Sequence, residues 1–243
     1  MAVAGADRKL RGAWFTPDHL VEAVVGAVVD EAFVASRADR PLRVLDPACG
    51  DGRFLTATLR TIRAFGGDAV AVGVDIDATA VAHVEQHTEA IAVLGDALHS
   101  DWLDNQGSTF DLVIGNPPYL SQMAAATTRG GSSRHGGGPY ADAAAEFLSL
   151  ASALVDPDGG RLAFVLPQSI LSARDATAAR ARIDARATMF WSSWTGERDF
   201  DADVVTCAVA FEFGTPSQRT SSSWSNVVTE RVGVPAMPAI LDG

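Results

Sequence analysis

Asn116, Pro117, Pro118 and Tyr119 follow one another directly behind the strand-forming residues Leu112, Val113 and Ile114. The two prolines fix φ and remove two backbone donors, and Asn116, preceding a proline, is held toward extended backbone. The result is a stiff turn that carries one carboxamide and one aromatic ring. Such a turn suits a flat partner with hydrogen-bonding edges, held in one pose.

A second group of chemically suggestive residues lies upstream in DPACGDGRFL, where Asp46 ends an apolar run and Ala48, Cys49 and Gly50 form a small-residue turn. In doubly wound folds ligands sit at the carboxyl ends of strands, and glycine lets the backbone approach them closely. A dinucleotide-binding turn requires a third glycine where Leu55 stands, and the Asp46 carboxylate repels phosphate. The next two apolar runs also end in acids. Asp75 in GVDID is placed to receive the two hydroxyls of a ribose, and Asp96 in GDAL to accept from the amino group of an adenine. Each aspartate alone could instead cap a helix. Three at successive strand ends describe a nucleoside ligand with a positive charge and no phosphate, and S-adenosylmethionine is such a molecule.

The elements that must position these groups read as an α/β, doubly wound, mostly parallel sheet. From Leu42 onward short apolar runs alternate with helical patterns: strand 42–46, helix 52–65, strand 69–75, helix 77–90, a short strand 91–95 and strand 110–115. A helix over 141–155, a strand over 161–167 and a polar helical stretch over about 168–186 follow. Two β-like runs, 188–194 and 203–213, are close enough to pair antiparallel. Ahead of the sheet, 16–36 reads as one amphipathic helix with Thr16 as N-cap and Pro17 at the first helical position. The glycine- and serine-rich stretch 121–139 reads as a loop. The whole chain, 1–243, reads as a single domain with a helical segment over 1–40, the core sheet over 41–213 and an irregular tail over 214–243.

The 243 residues carry 19 Lys+Arg against 30 Asp+Glu, a formal net charge of −11, and Lys9 is the only lysine. A dedicated nucleic-acid binder normally carries a basic surface, because phosphate neutralisation supplies most of its non-specific affinity. Two cysteines, Cys49 and Cys207, point to a reducing compartment, and with no signal peptide or membrane span in the pattern the expected location is cytoplasmic. No metal site is expected: His83 and His87 are one helical turn apart, but Val84 stands where the zinc-protease pattern has glutamate.

LDPACGDGRFL, VGVDID, GDAL and GNPPY, in this order, resemble the S-adenosylmethionine-dependent N6-adenine DNA methyltransferases of the gamma class, and GAWFTPDHLVEAVV resembles that group's amino-terminal motif. The likeness runs from about Gly12 to Phe213. It implies that the Asn116 side-chain oxygen and the Pro117 carbonyl accept the two N6 hydrogens of an adenine flipped out of duplex DNA, and that Tyr119 stacks on the base. It also implies that Phe200 lines the base pocket, that Thr16 with the backbone around Phe15 and Pro17 closes over the methionine end of the cofactor, and that Ile76 and Ala97 flank its adenine. Each of these four has an ordinary alternative: Phe200, Ile76 and Ala97 as core, Thr16 as a helix cap.

Members of that class have a two-part design, so the resemblance and the acidic charge together lead us to expect a recognition domain or subunit beyond this chain, with Arg129 and Arg134 as the few candidate phosphate contacts. A restriction-modification or related system is the expected setting. Two alternatives stay open: a methyltransferase acting on a glutamine amide of release factors, which shares NPPY, and a non-catalytic methyltransferase-like subunit.

Overall fold

The computed structural model describes residues 16–99, 102–103, 109–119, 143–194, 205–214 and 224. Among them the strands are β1 (Leu42–Asp46), β2 (Ala69–Asp75), β3 (Ile91–Leu94), β4 (Leu112–Gly115), β5 (Arg161–Pro167), β6 (Ala187–Trp194) and β7 (Thr206–Phe213). The helices are α1 (Asp18–Val28), α2 (Glu31–Ala35), α3 (Arg53–Ala64), α4 (Ala78–His87), α5 (Ala143–Leu154) and α6 (Thr177–Asp184). The strands form one sheet in the order β3-β2-β1-β4-β5-β7-β6. The first five run parallel, and β7 joins β5 and β6 antiparallel.

This is the α/β architecture that the alternation of apolar runs requires. Strands covered on both faces have no polar side to present, and Leu42, Val44, Leu45, Leu112, Val113, Ile114 and the run from Leu162 to Leu166 are buried. One face packs under α1 and α3 through Val24, Val28, Leu55 and Ile62 against Leu42, Val44, Leu112 and Val165. The other lies under α5 and α6, with Leu148, Ala151 and Ile183 against Leu45, Val113, Phe164 and Phe211. Among the described residues no helix is long and apolar enough to cross a membrane.

Three local expectations are revised. The amino-terminal helix is two: α1 ends at Val28, Val29 is extended, and the Asp30 carboxylate accepts from Phe33 N at 2.7 Å to start α2. An aspartate able to cap competes with helix continuation, which the apolar stripe alone does not reveal. Pro17, not Thr16, occupies the N-cap position of α1, and no side chain caps it. The stretch after β5 makes two 3-10 turns, Gln168–Leu171 and Arg174–Ala176, before α6. Arg180 Nη1 donates to Ile170 O at 2.7 Å and Ala173 O at 2.9 Å and so holds this stretch in place.

At the amino-terminal ends of the central strands, buried Asp111 accepts from Arg37 Nε at 2.7 Å, from both terminal nitrogens of Arg40 at 2.6 and 2.8 Å, and from Arg43 N at 2.8 Å. Burial alone would raise its pKa, but the Arg40 and Arg37 guanidiniums and the Arg43 N–H hold the carboxyl below the usual range. This hub ties the turn after α2 to the start of β4. From the tail, Trp224 is buried: its ring lies 5.1 Å from that of Phe211 and its Nε1 donates to Asp184 Oδ1 at 2.9 Å.

Candidate active site

Strand order reverses between β1 and β4, the position at which open α/β sheets form a ligand crevice. Asp46, Gly50, Asp75, Thr16, Asn116 and Tyr119 are linked to one another around this position, whereas Asp96 stands two strands away behind β3. After β1 the chain turns through Gly50 at φ 53° and Gly52 at φ 79°, left-handed values that disfavour any side chain, and α3 begins at Arg53. A Cβ at Gly50 would meet nothing within 4 Å, so the turn leaves room for a ligand to approach its backbone. Cys49 is buried with its N–H on Val74 O at 3.0 Å. Burial and the nearby carboxylates of Asp46 and Asp75 push its thiol far above the ordinary range, which leaves it a packing role.

Asp46 is 1% exposed, and the hydrogen bond its carboxylate receives is from Ala48 N at 3.1 Å. Burial, followed by the carboxylates of Asp75 and Asp51, pushes its pKa up to about 8 against the effect of that bond. A buried carboxylate with so few donors is a ready counter-charge for a cation. Its oxygens press on Gly115, where an added Cβ would lie 2.4 Å from Asp46 Oδ1. The end of β1 and the end of β4 therefore touch through a carboxylate and a glycine.

The other two aspartates do not cap helices, which removes the ordinary alternative for them. Asp75 accepts from Gly50 N at 2.9 Å and from Asp77 N at 2.8 Å, while the cap of α4 is Asp77, which accepts from Thr79 N at 2.9 Å. Asp96, exposed, accepts from Leu98 N at 3.0 Å and contacts His99 Nδ1 at 2.8 Å. Ile76 is 57% exposed beside Asp75, so it is not core, whereas Ala97 is buried.

At the end of β4, Asn116 Nδ2 donates to Thr16 Oγ1 at 3.0 Å. Asn116 Oδ1 accepts from the hydroxyl of Tyr119, which also points at Val165 O at 3.1 Å. The Tyr119 ring is half-buried against the core, and burial, with Cys207 nearby, raises its phenol well above the ordinary range. Pro117 is buried and Pro118 half-buried. Arg53, which sequence reasoning passed over, links the two halves of the site: it donates to Asp51 at 2.7 Å, to Asp18 at 2.7 Å and to Thr16 O at 3.4 Å. The available signal was its place immediately behind the glycine turn. Phe15, Phe200, Arg129, Arg134 and the 121–139 stretch lie outside the described residues.

The profile of the N-6 DNA methylase family matches residues 2–185. The chain belongs to the N-6 DNA methylase family. The chain is 38% identical over 104 residues to Type II methyltransferase M.TthHB8I of Thermus thermophilus, covering 43% of this chain and 20% of that protein. It is 40% identical over 82 residues to Ribosomal RNA small subunit methyltransferase C of Chromohalobacter salexigens, 34% of this chain and 23% of that one. It thus spans less than a quarter of the length of these curated relatives. The solved type I restriction-modification system methyltransferase subunit from Streptococcus thermophilus superposes with a TM-score of 0.65 at 19% identity, over 85% of this chain and 45% of that one. Likeness at that identity establishes the fold, that of class I methyltransferases.

In this N-6 DNA methylase chain the donor set fits a nucleoside cation: a buried, under-donated carboxylate at Asp46, an open glycine turn at Gly50, and carboxylates at Asp75 and Asp96 along the next two strand ends. Among the described residues no group of three or more His, Cys, Asp or Glu could hold a metal. His83 and His87 stack with ring centroids 4.2 Å apart on the exposed face of α4.

Proposed function

We propose that this chain is the catalytic domain of an S-adenosylmethionine-dependent DNA methyltransferase that modifies the N6 amine of an adenine flipped out of duplex DNA. The observation that carries the reading is the Asn116 carboxamide, presented at the β1/β4 crevice beside buried Asp46 with its oxygen already accepting a hydrogen bond. An exocyclic amine is a poor nucleophile because its lone pair is delocalised into the ring. The Asn116 oxygen has two lone pairs, one taken by the Tyr119 hydroxyl and one left for an amine hydrogen; the Pro117 carbonyl is the second acceptor. Accepting both hydrogens turns the lone pair out of the ring plane toward the methyl donor, so the catalytic contributions are orientation and electrostatics. When bound, S-adenosylmethionine supplies an electrophilic methyl group: the nitrogen–carbon bond forms as the sulfur–carbon bond breaks, and the amine then releases one proton.

On this reading Asp46 faces the cofactor's positive charge, Asp75 the ribose and Asp96 the adenine amino group, with Ile76 and Ala97 at its ring. Ala48, Cys49 and Gly50 form the turn around it, and Thr16 stands at its methionine end. The exposed part of the Tyr119 ring, with Phe200, stacks on the target base. The net charge of −11 supports a separate basic domain or subunit that reads the DNA sequence. The protein works in the cytoplasm, in a restriction-modification or related system.

The test is transfer of labelled methyl to unmethylated duplex, followed by nucleoside digestion. Label in N6-methyladenine that drops by on the order of 100-fold or more in Asn116→Ala supports the reading. Label that appears only in RNA or in a release factor overturns it.

A further inference from the structure

Thr16 was expected to cap α1, but the structure removes that role: Pro17 occupies the cap position and no side chain serves it. The Thr16 side chain is 6% exposed, and its hydroxyl accepts from Asn116 Nδ2 at 3.0 Å across 100 residues of sequence. We infer that Thr16 is a positioning residue for methyl transfer, holding the Asn116 carboxamide with its oxygen toward the substrate amine. The inference rests on the functional reading above.

The two ends of a carboxamide have nearly the same size and shape, so packing alone cannot distinguish them. Hydrogen-bond partners must. With Nδ2 on Thr16, Oδ1 faces the opposite way, where it accepts from the Tyr119 hydroxyl. The flipped amide would point an N–H at an amine that is itself a donor, while the Tyr119 hydroxyl would donate to Val165 O alone. Arg53 holds the Thr16 carbonyl at 3.4 Å while bonding Asp51 of the glycine turn at 2.7 Å. The orienting hydroxyl is thus anchored to the same turn as the cofactor, and docking of residues 16–18 couples the two halves of the site.

The experiment compares wild type, Thr16→Val and Thr16→Ser. Valine keeps the shape and loses the acceptor; serine keeps it. The first readout is the single-turnover rate on duplex DNA at saturating cofactor, with cofactor affinity measured separately. Thr16→Val is expected to slow transfer at saturating cofactor on the order of 10- to 100-fold, beyond any change in cofactor affinity and with melting temperature near wild type, and Thr16→Ser to recover most of the rate. The second readout needs no turnover: the Asn116 side-chain amide signals in NMR, assigned through Asn116→Asp, show one slowly exchanging proton that is lost in Thr16→Val and regained in Thr16→Ser. An unchanged rate in Thr16→Val, or a loss in cofactor affinity that accounts for the whole effect, overturns the inference. If wild type transfers no methyl to DNA, either the chain lacks its recognition domain or subunit or the functional reading fails, and the amide signal alone then decides whether Thr16 orients Asn116; unchanged exchange in Thr16→Val overturns it.

Discussion

Replacing Asp46 with asparagine isolates the charge of the site from its shape. The folded protein raises the Asp46 pKa from 3.8 to about 8. A carboxyl that binds its proton more tightly when folded stabilises the fold at low pH, and that contribution is lost as pH rises from about 4 to about 8. Within this window each pH unit costs about 1.4 kcal/mol, so from pH 5 to pH 7 wild type should lose about 3 kcal/mol relative to Asp46→Asn. Other titrating groups are common to both proteins and cancel in the difference. Urea unfolding of the cofactor-free proteins at pH 5, 6, 7 and 8 measures it. Binding of a cationic cofactor should draw the proton off: wild-type affinity rises about tenfold per pH unit between 5 and 7 and levels off above 8. The asparagine variant binds weakly with no such slope. A stability difference between the two proteins that is flat from pH 5 to pH 8 would refute the reasoning, because it would mean that Asp46 is already ionised in its crevice.

Gly115→Ala places a Cβ 2.4 Å from Asp46 Oδ1; the expected outcome is a stability loss of about 1–3 kcal/mol and at least tenfold weaker cofactor binding, read by calorimetry, with unchanged affinity as the contrary result. Asp111→Ala strips the acceptor from Arg37, Arg40 and the Arg43 N–H at the opposite, amino-terminal end of the central strands. A loss of about 3–5 kcal/mol in urea unfolding is expected, with cofactor affinity of the folded fraction unaltered, and a loss under 1 kcal/mol would show that the two arginines find water instead. Asn116→Ala and the Thr16 pair act on rate rather than on stability.

Much of this protein could be read from local pattern. The apolar runs 42–46, 69–75 and 161–167 coincide with β1, β2 and β5, because a strand buried on both faces must be apolar throughout and few other structures tolerate that composition. The stiff NPPY turn and the glycine turn were legible because proline and glycine restrict or free the backbone wherever they stand. The break at Val29–Asp30 and the true cap of α1 were not, since capping depends on which competing hydrogen bond wins once the helix has docked. Nor did sequence show β7 lying between β5 and β6, although both antiparallel partners were expected as a hairpin. A hairpin pattern specifies which strands pair but leaves open which of them joins the sheet.

The residues proposed to do the chemistry, Asp46, Asp75, Asp96, Asn116 and Tyr119, and their order at strand ends were determined by sequence alone, because each sits at a boundary that local propensity marks. Only the tertiary structure decided that Asp46 presses on Gly115, that Thr16 rather than solvent meets the Asn116 amide, and that Asp111 gathers two arginines. These are contacts made by polar side chains with partners distant in the chain, where the sheet reverses its order or at the amino-terminal end of its central strand. Burial withdraws water from them and leaves each donor one protein partner to find, and no local pattern encodes which one that is.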